Sequence, residues 1–105
     1  MNENTKVSDL TSQDVANYIR IVEVETEDLN TLDTLLNVAK NFITGYTGHT
    51  LEELDEYQDL VIVVLILCQD MWDNRTLYVD KDNLNKVVQT ILGMHSVNLL
   101  WAATW

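Results

Sequence analysis

Nine consecutive residues in the middle of the chain, Leu60-Val-Ile-Val-Val-Leu-Ile-Leu-Cys68, carry no charged or hydrogen-bonding side chain beyond a thiol. The run is less than half of the roughly twenty apolar residues that a membrane span needs, so it reads as a buried element of a globular domain. Its β-branched residues would suit a strand. Its apolar character nevertheless continues to Met71 and Trp72 at helical spacing with no turn residue between, and the segment is predicted as a helix from about Glu56 to Asp73. A helix that is apolar on every side must be central or must meet something on both sides. With Leu60, Val61, Val64, Leu65 and Cys68 facing the core, Ile62, Val63, Ile66 and Leu67 lie largely on the other side. Either the first and last helices cover that side or a second molecule does, and each side chain buried there contributes roughly 1.5–3 kcal/mol.

The rest of the chain permits little besides helices. It has no proline and three glycines, Gly45, Gly48 and Gly93, so the two strongest helix breakers are scarce. Thr11 with Asp14 resembles a capping box, followed by Val15, Tyr18, Ile19 and Val22 on one helical face. Leu29, Leu32, Leu36, Ala39, Ile43 and Tyr46 alternate spacings of three and four, a seam along a helix of about five turns. Leu35 and Phe42 widen it, Thr26 or Asp28 suits its start, and Gly48 is its expected left-handed stop. Thr50-x-x-Glu53 is a second capping box opening a short turn through Leu54. Thr76–Val79 suits a short extended piece. Leu84, Val87, Val88, Ile91 and Leu92 mark a last helix, with Asp82 or Asn83 as cap and Gly93 as its end. The expected architecture is all-α, a small bundle of four to five helices in one domain, with residues 8–93 as the helical core and 94–105 as an apolar tail. The tail holds Val97, Leu99, Leu100, Trp101 and Trp105. In water it would be adhesive. It either folds back on its own core or docks on a neighbouring subunit, where tryptophan is a favoured anchor.

The formal charge of −11 is uneven. Residues 1–60 hold 13 acids and 3 bases, whereas residues 61–105 hold 4 and 3. An acidic surface repels phosphate, which disfavours ordinary nucleic-acid binding. The acids form two clusters, Glu23, Glu25, Glu27 and Asp28, and Glu52, Glu53, Asp55 and Glu56. Like charges this close repel each other and stay solvated, so both read as surface. Met1–Lys6 is polar and lacks the apolar stretch of a signal peptide, so the expectation is a protein made in the cytosol and not inserted in a membrane.

Catalytic chemistry finds little support. Three glycines do not make a phosphate loop. His49, Cys68 and His95 are too scattered for a zinc site. Asp80-x-Asp82 opens like a calcium loop but has Asn85 where glycine belongs and Ile91 where glutamate belongs. His49 is expected to be solvated, His95 to lie in a loop or face a partner, and Cys68 to be a buried hydrophobe. No catalytic, cofactor-binding or metal-binding residue is assigned.

Several phrases then occur together. Tyr18-Ile-Arg-Ile21 precedes the acidic stretch ending Glu27-Asp28, the seamed helix closes as Asn41-Phe-Ile-Thr-Gly-Tyr-Thr-Gly48, and the apolar helix closes as Asp70-Met-Trp-Asp-Asn-Arg75. Their order over about residues 7–100 resembles the head–tail connector (head-completion) family of long non-contractile-tailed phages. The stretch Asn85–Leu100 is similar to the C-terminal signature of versions from phages of Gram-positive hosts. Asp73 departs from the family pattern, and Trp101–Trp105 extends beyond it.

The resemblance implies a structural virion protein without an active site. It would be made in the host cytoplasm and built into the neck of the particle. Copies would close into a ring beneath the portal protein, extend the DNA channel without binding DNA specifically, and dock a tail-side neck or head-closure protein. Ring closure needs two different complementary surfaces per subunit. Candidates are Arg20, Ile62, Ile66, Arg75 and the tail residues Val97, Leu99, Leu100, Trp101 and Trp105, with the two acidic clusters facing the channel or a neighbour. Arg20 and Arg75, each at a helix end, would pair with a neighbouring subunit, complement a helix dipole, or bridge to the acidic stretch of their own chain. The competing reading is an acidic mimic of DNA that occupies a host nuclease or repressor. A mimic would spread its carboxylates along an extended face, and here the second half of the chain is nearly neutral.

Overall fold

The computed structural model describes residues 6–21 and 23–96. After a 3-10 turn at Val7–Asp9 come five α-helices: α1 (Ser12–Ile19), α2 (Thr26–Thr47), α3 (Leu51–Leu54), α4 (Asp59–Asn74) and α5 (Lys86–His95). A second 3-10 turn, Lys81–Asn83, precedes α5. Among the described residues there is no strand, and the protein is an all-α bundle.

Local chemistry sets most of the helix starts. The Thr11 hydroxyl accepts from the Asp14 N–H at 3.2 Å while the Asp14 carboxylate accepts from the Thr11 N–H at 3.0 Å. Thr50 and Glu53 make the same reciprocal pair at the start of α3. At α2 the cap is Glu25, whose N–H donates to Asp28 at 3.2 Å. Thr26 is the first helical residue and not the cap. Each arrangement occupies backbone donors that the first helical turn leaves without a partner.

Three of the stops, those of α1, α2 and α4, are left-handed. Gly48 closes α2 at φ 77°, with its N–H on the Thr44 carbonyl at 3.0 Å. Arg20 closes α1 at φ 67° and Arg75 closes α4 at φ 55°. α1 therefore ends at Ile19, short of the face expected to run to Val22, which lies outside the described residues.

α4 is the centre of the molecule. It packs on α2, α5, α1 and the first 3-10 turn. Val63 and Leu67, which the sequence placed on the outer side, are buried along with Leu60, Val64, Leu65 and Cys68. Ile66 is half-buried, and only Ile62 of the run is exposed, at 38%. The bundle itself covers almost all of the apolar helix. The α2 seam does likewise: Leu32, Leu35, Leu36, Ala39 and Ile43 are buried, and Thr47 is buried with its hydroxyl donating to the Ile43 carbonyl at 2.6 Å.

α5 departs from the expectation at both ends. Its cap is Asn85, whose side chain accepts from the Val87 N–H at 2.8 Å, rather than Asp82 or Asn83. Asp80 and Asp82 belong to the preceding 3-10 turn, where Asp80 accepts from the Asp82 N–H. Gly93 does not end α5, which continues to His95. Val88 and Leu92 anchor it on α4, and the packing of that face outweighs the roughly 1 kcal/mol that an internal glycine costs. Thr76–Val79 forms no strand.

Candidate functional site

The topology gathers the candidate residues at two ends of the bundle. α2 has 22 residues and so rises about 33 Å. The first acidic cluster lies at its start and the second follows its end.

At the first end, the last turn of α4 meets the first turns of α2. Asp28, Thr31 and Leu35 of α2 face Met71, Trp72 and Arg75, and with Leu77 they line an open groove of about 470 Å³. Leu77 and Tyr78, in the segment after Arg75, are 62% and 63% exposed. A smaller cavity of about 290 Å³ lies between α4 and the segment that leads to α5, with Asp70, Met71 and Leu84 in its lining. Burial, with a smaller contribution from Asp73, raises the Asp70 carboxyl above its ordinary range.

Arg20 closes the helix that leads into α2, which puts it at this end too. The only base–carboxylate contacts within 4 Å among the described residues are those of His49 with Glu53 and His95 with Asp59, each ionic only when the histidine is protonated. The expected bridge from Arg20 or Arg75 to the acidic stretch of the same chain is therefore not formed among the described residues. Both arginines sit at helix C-termini, where a cation complements the dipole.

At the second end, sequence reasoning missed a cluster. His95, the last residue of α5, reaches the first residue of α4 through Nε2, 2.8 Å from Asp59 Oδ2. Its ring lies on Tyr57, with centroids 4.1 Å apart and planes 30° from parallel. His49 flanks Tyr57 at 6.3 Å and has Nδ1 3.2 Å from Glu53 Oε2. His95 is not a loop residue and His49 is not solvated; both rings are largely covered. Electrostatics favours the arrangement, since a carboxylate suits the start of α4 and a histidine the end of α5. The i, i+4 pair His49–Glu53 was legible in the sequence. His95–Asp59, separated by 36 positions, had no local signal.

Three acids named as lining or interface candidates are committed inside the chain. Asp28 receives the Glu25 N–H. Asp55 accepts from the Ser8 N–H at 3.0 Å and the Ser8 hydroxyl at 2.7 Å. Glu53 completes the α3 capping box, and the Thr50 N–H, then the hydrogen bonds from His49 and the Thr50 hydroxyl, hold its carboxyl below the ordinary value. Glu23, Glu25, Glu27, Glu52 and Glu56 are exposed. Ile62 and Ile66 lie on α4 as described, and Val97, Leu99, Leu100, Trp101 and Trp105 lie outside the described residues.

Cys68 is buried, and burial pushes its thiol up to about 12, so it supplies no thiolate at neutral pH. No group of three or more His, Cys, Asp or Glu side chains suited to a metal ion occurs among the described residues. No helix among them is long and apolar enough to cross a membrane. Comparisons with protein-family models, curated proteins and solved structures found no match.

Proposed function

We propose that the protein is a head–tail connector subunit of a tailed phage particle. In this reading copies close into a ring under the portal, carry the DNA channel onward and dock the next neck or tail protein. The observation that carries the reading is where the phrases of the resemblance fall. Tyr18-Ile-Arg20 ends α1 on a left-handed Arg20, Tyr46-Thr-Gly48 ends α2 on a left-handed Gly48, and Trp72-Asp-Asn-Arg75 ends α4 on a left-handed Arg75. Residues at such positions define where each helix stops and how the chain turns, so the shared phrases coincide with the punctuation of the bundle.

The surface supports the same reading. A head-to-tail ring needs two unlike patches on each subunit. Trp72, Arg75 and Leu77 line one apolar and cationic groove, and tryptophan and arginine are enriched at interface hot spots. Ile62 on α4 and Val87 and Met94 on α5 are exposed apolar residues elsewhere on the bundle. The exposed carboxylates Glu23, Glu25, Glu27, Glu52 and Glu56 are suited to a channel wall that repels DNA and lets it slide.

Electron microscopy of the purified protein, alone and mixed with the portal of its phage, tests the proposal. Rings, or an added layer on the portal, are the expected result. No ring and no layer at any concentration, together with inhibition of a host DNA-binding enzyme, would favour the DNA mimic instead.

A further inference from the structure

We propose that His95 and Asp59 form a pH-operated clasp on the last turn of α5, closed while the imidazole carries its second proton and loosened when that proton leaves. The same turn carries Met94, whose side chain is 68% exposed, so the clasp sets how firmly this apolar side chain is presented. The proposal does not depend on the connector reading.

The packing leaves this turn with few other anchors. Val88 and Leu92, both buried, pin the earlier turns of α5 to the core. Beyond them Gly93 has no side chain to pack, and the Ser96 hydroxyl donates to the Leu92 carbonyl at the end of its own helix. Among the described residues, His95 is the only side chain of the turn with a hydrogen bond or ring contact to another element. Its Nε2 lies 2.8 Å from Asp59 Oδ2, and its ring lies on Tyr57 with centroids 4.1 Å apart. A helix end held in this way opens locally without the rest of the bundle.

Histidine is the side chain whose charge changes in the physiological pH range. As an imidazolium, the ring has an N–H on both nitrogens and faces a carboxylate, so the hydrogen bond is charge-assisted and roughly twice as strong as a neutral one. A neutral ring has a single N–H and keeps the bond only when that proton sits on Nε2. The face of Tyr57 attracts the cation as well. Burial opposes the charge. The His95 side chain is 15% exposed, but that of Asp59 is 41% exposed, so the pair keeps one side in water and avoids the full penalty of a dry ion pair. The surroundings favour the same sign. Across Tyr57 stand His49 and its partner Glu53, and Glu52 and Glu56 are exposed acids of the same stretch. α2 also packs on α5, and residues 41–47 at its end include Tyr46 as their only titratable group. On α5 itself the only other charge is Lys86, at the far end. The clasp is therefore strongest below the range in which histidine titrates and weakens as pH rises through it.

Hydrogen exchange on the full chain tests the clasp between about pH 5.5 and about pH 8. Each measured rate is divided by the intrinsic rate at that pH, and the buried Val64 and Leu65 of α4 serve as the internal reference. Protection of the Met94 and His95 amides should fall about fivefold relative to the reference across this range. Asp59→Asn keeps an acceptor without the charge, and His95→Gln keeps a donor that does not titrate; both should give a flat profile. A flat profile in the unmodified protein overturns the proposal whether or not either variant folds. So does protection that rises with pH, since burial would then be keeping the ring neutral. An equal fall in Asp59→Asn, or an equal fall at Val64 and Leu65, also overturns it, the first because the carboxylate charge would be irrelevant and the second because the response would be global.

Discussion

His95 Nε2 lies 2.8 Å from Asp59 Oδ2 and joins the last residue of α5 to the first of α4. Two helices thereby meet through the ends whose dipoles favour those two side chains, and Tyr57 backs the histidine ring. The clasp holds the end of α5 against the core beyond Val88 and Leu92. His95→Ala should lower stability by about 1–2 kcal/mol through the lost hydrogen bond and ring contact. Asp59→Asn, which keeps an acceptor, should cost less. Urea denaturation compares the two, and hydrogen exchange should rise in α5 before the rest of the bundle.

Glu53 gives the acid limb of stability a specific contributor. Its folded-state carboxyl titrates below the ordinary 4.5, mainly because the Thr50 N–H donates to it and further because of His49 and the Thr50 hydroxyl. A lowered folded value means that the contribution is complete above the unfolded value and disappears as pH falls through the folded one. Glu53→Gln should therefore flatten the decline in melting temperature below about pH 4.5 and leave its slope near neutrality unchanged. An unchanged acid limb would remove Glu53 from the account.

Arg20 and Arg75 occupy backbone conformations at φ 67° and 55°, which cost an L residue about 1–2 kcal/mol. Glycine adopts them without that cost, offset in part by its freer unfolded chain. Arg20→Gly and Arg75→Gly should each raise stability by about 0.5–1 kcal/mol. Gly48→Ala should lower it by about 1 kcal/mol. If Arg75 works at a subunit contact, Arg75→Gly should become more stable while weakening assembly on the portal, a combination that a purely local role does not produce.

Gly45 and Gly93 both lie inside helices, and a Cβ added at either meets nothing within 4 Å. Neither has a packing reason to be glycine. Gly45→Ala and Gly93→Ala should each stabilise by about 0.5–1 kcal/mol, and being on different helices they should add. Thermal melts of the single and double variants check both statements.

Cys68 should be inert in the folded protein. Burial holds its thiol near 12, so alkylation at pH 8 should be slow enough to follow global or local opening and should accelerate on addition of urea. Rapid alkylation of the native protein would mean that α4 is more open than its packing indicates.

Where a local rule operated alone, the sequence was a good guide. The Thr11–Asp14 and Thr50–Glu53 boxes, the α2 seam and the left-handed stop at Gly48 depend on residues within a few positions of one another, and each is present as read. The errors share another cause. Gly93 and the polar stretch Asp80–Asn83 carry the local marks of helix ends, yet α5 runs from Lys86 to His95 because Val88 and Leu92 pack on α4 and His95 binds Asp59. His95 departs from expectation for the same reason: Tyr57 and Asp59 cover it only once α4 and α5 lie side by side.

The all-α class and most of the helix starts thus follow from the sequence alone, through near-neighbour capping, periodicity and the absence of proline. Only the tertiary structure decided that α4 is enclosed on nearly every side and that a groove opens beside Arg75. Those outcomes depend on which helix faces which, a consequence of side chains far apart in sequence competing for the same buried surface.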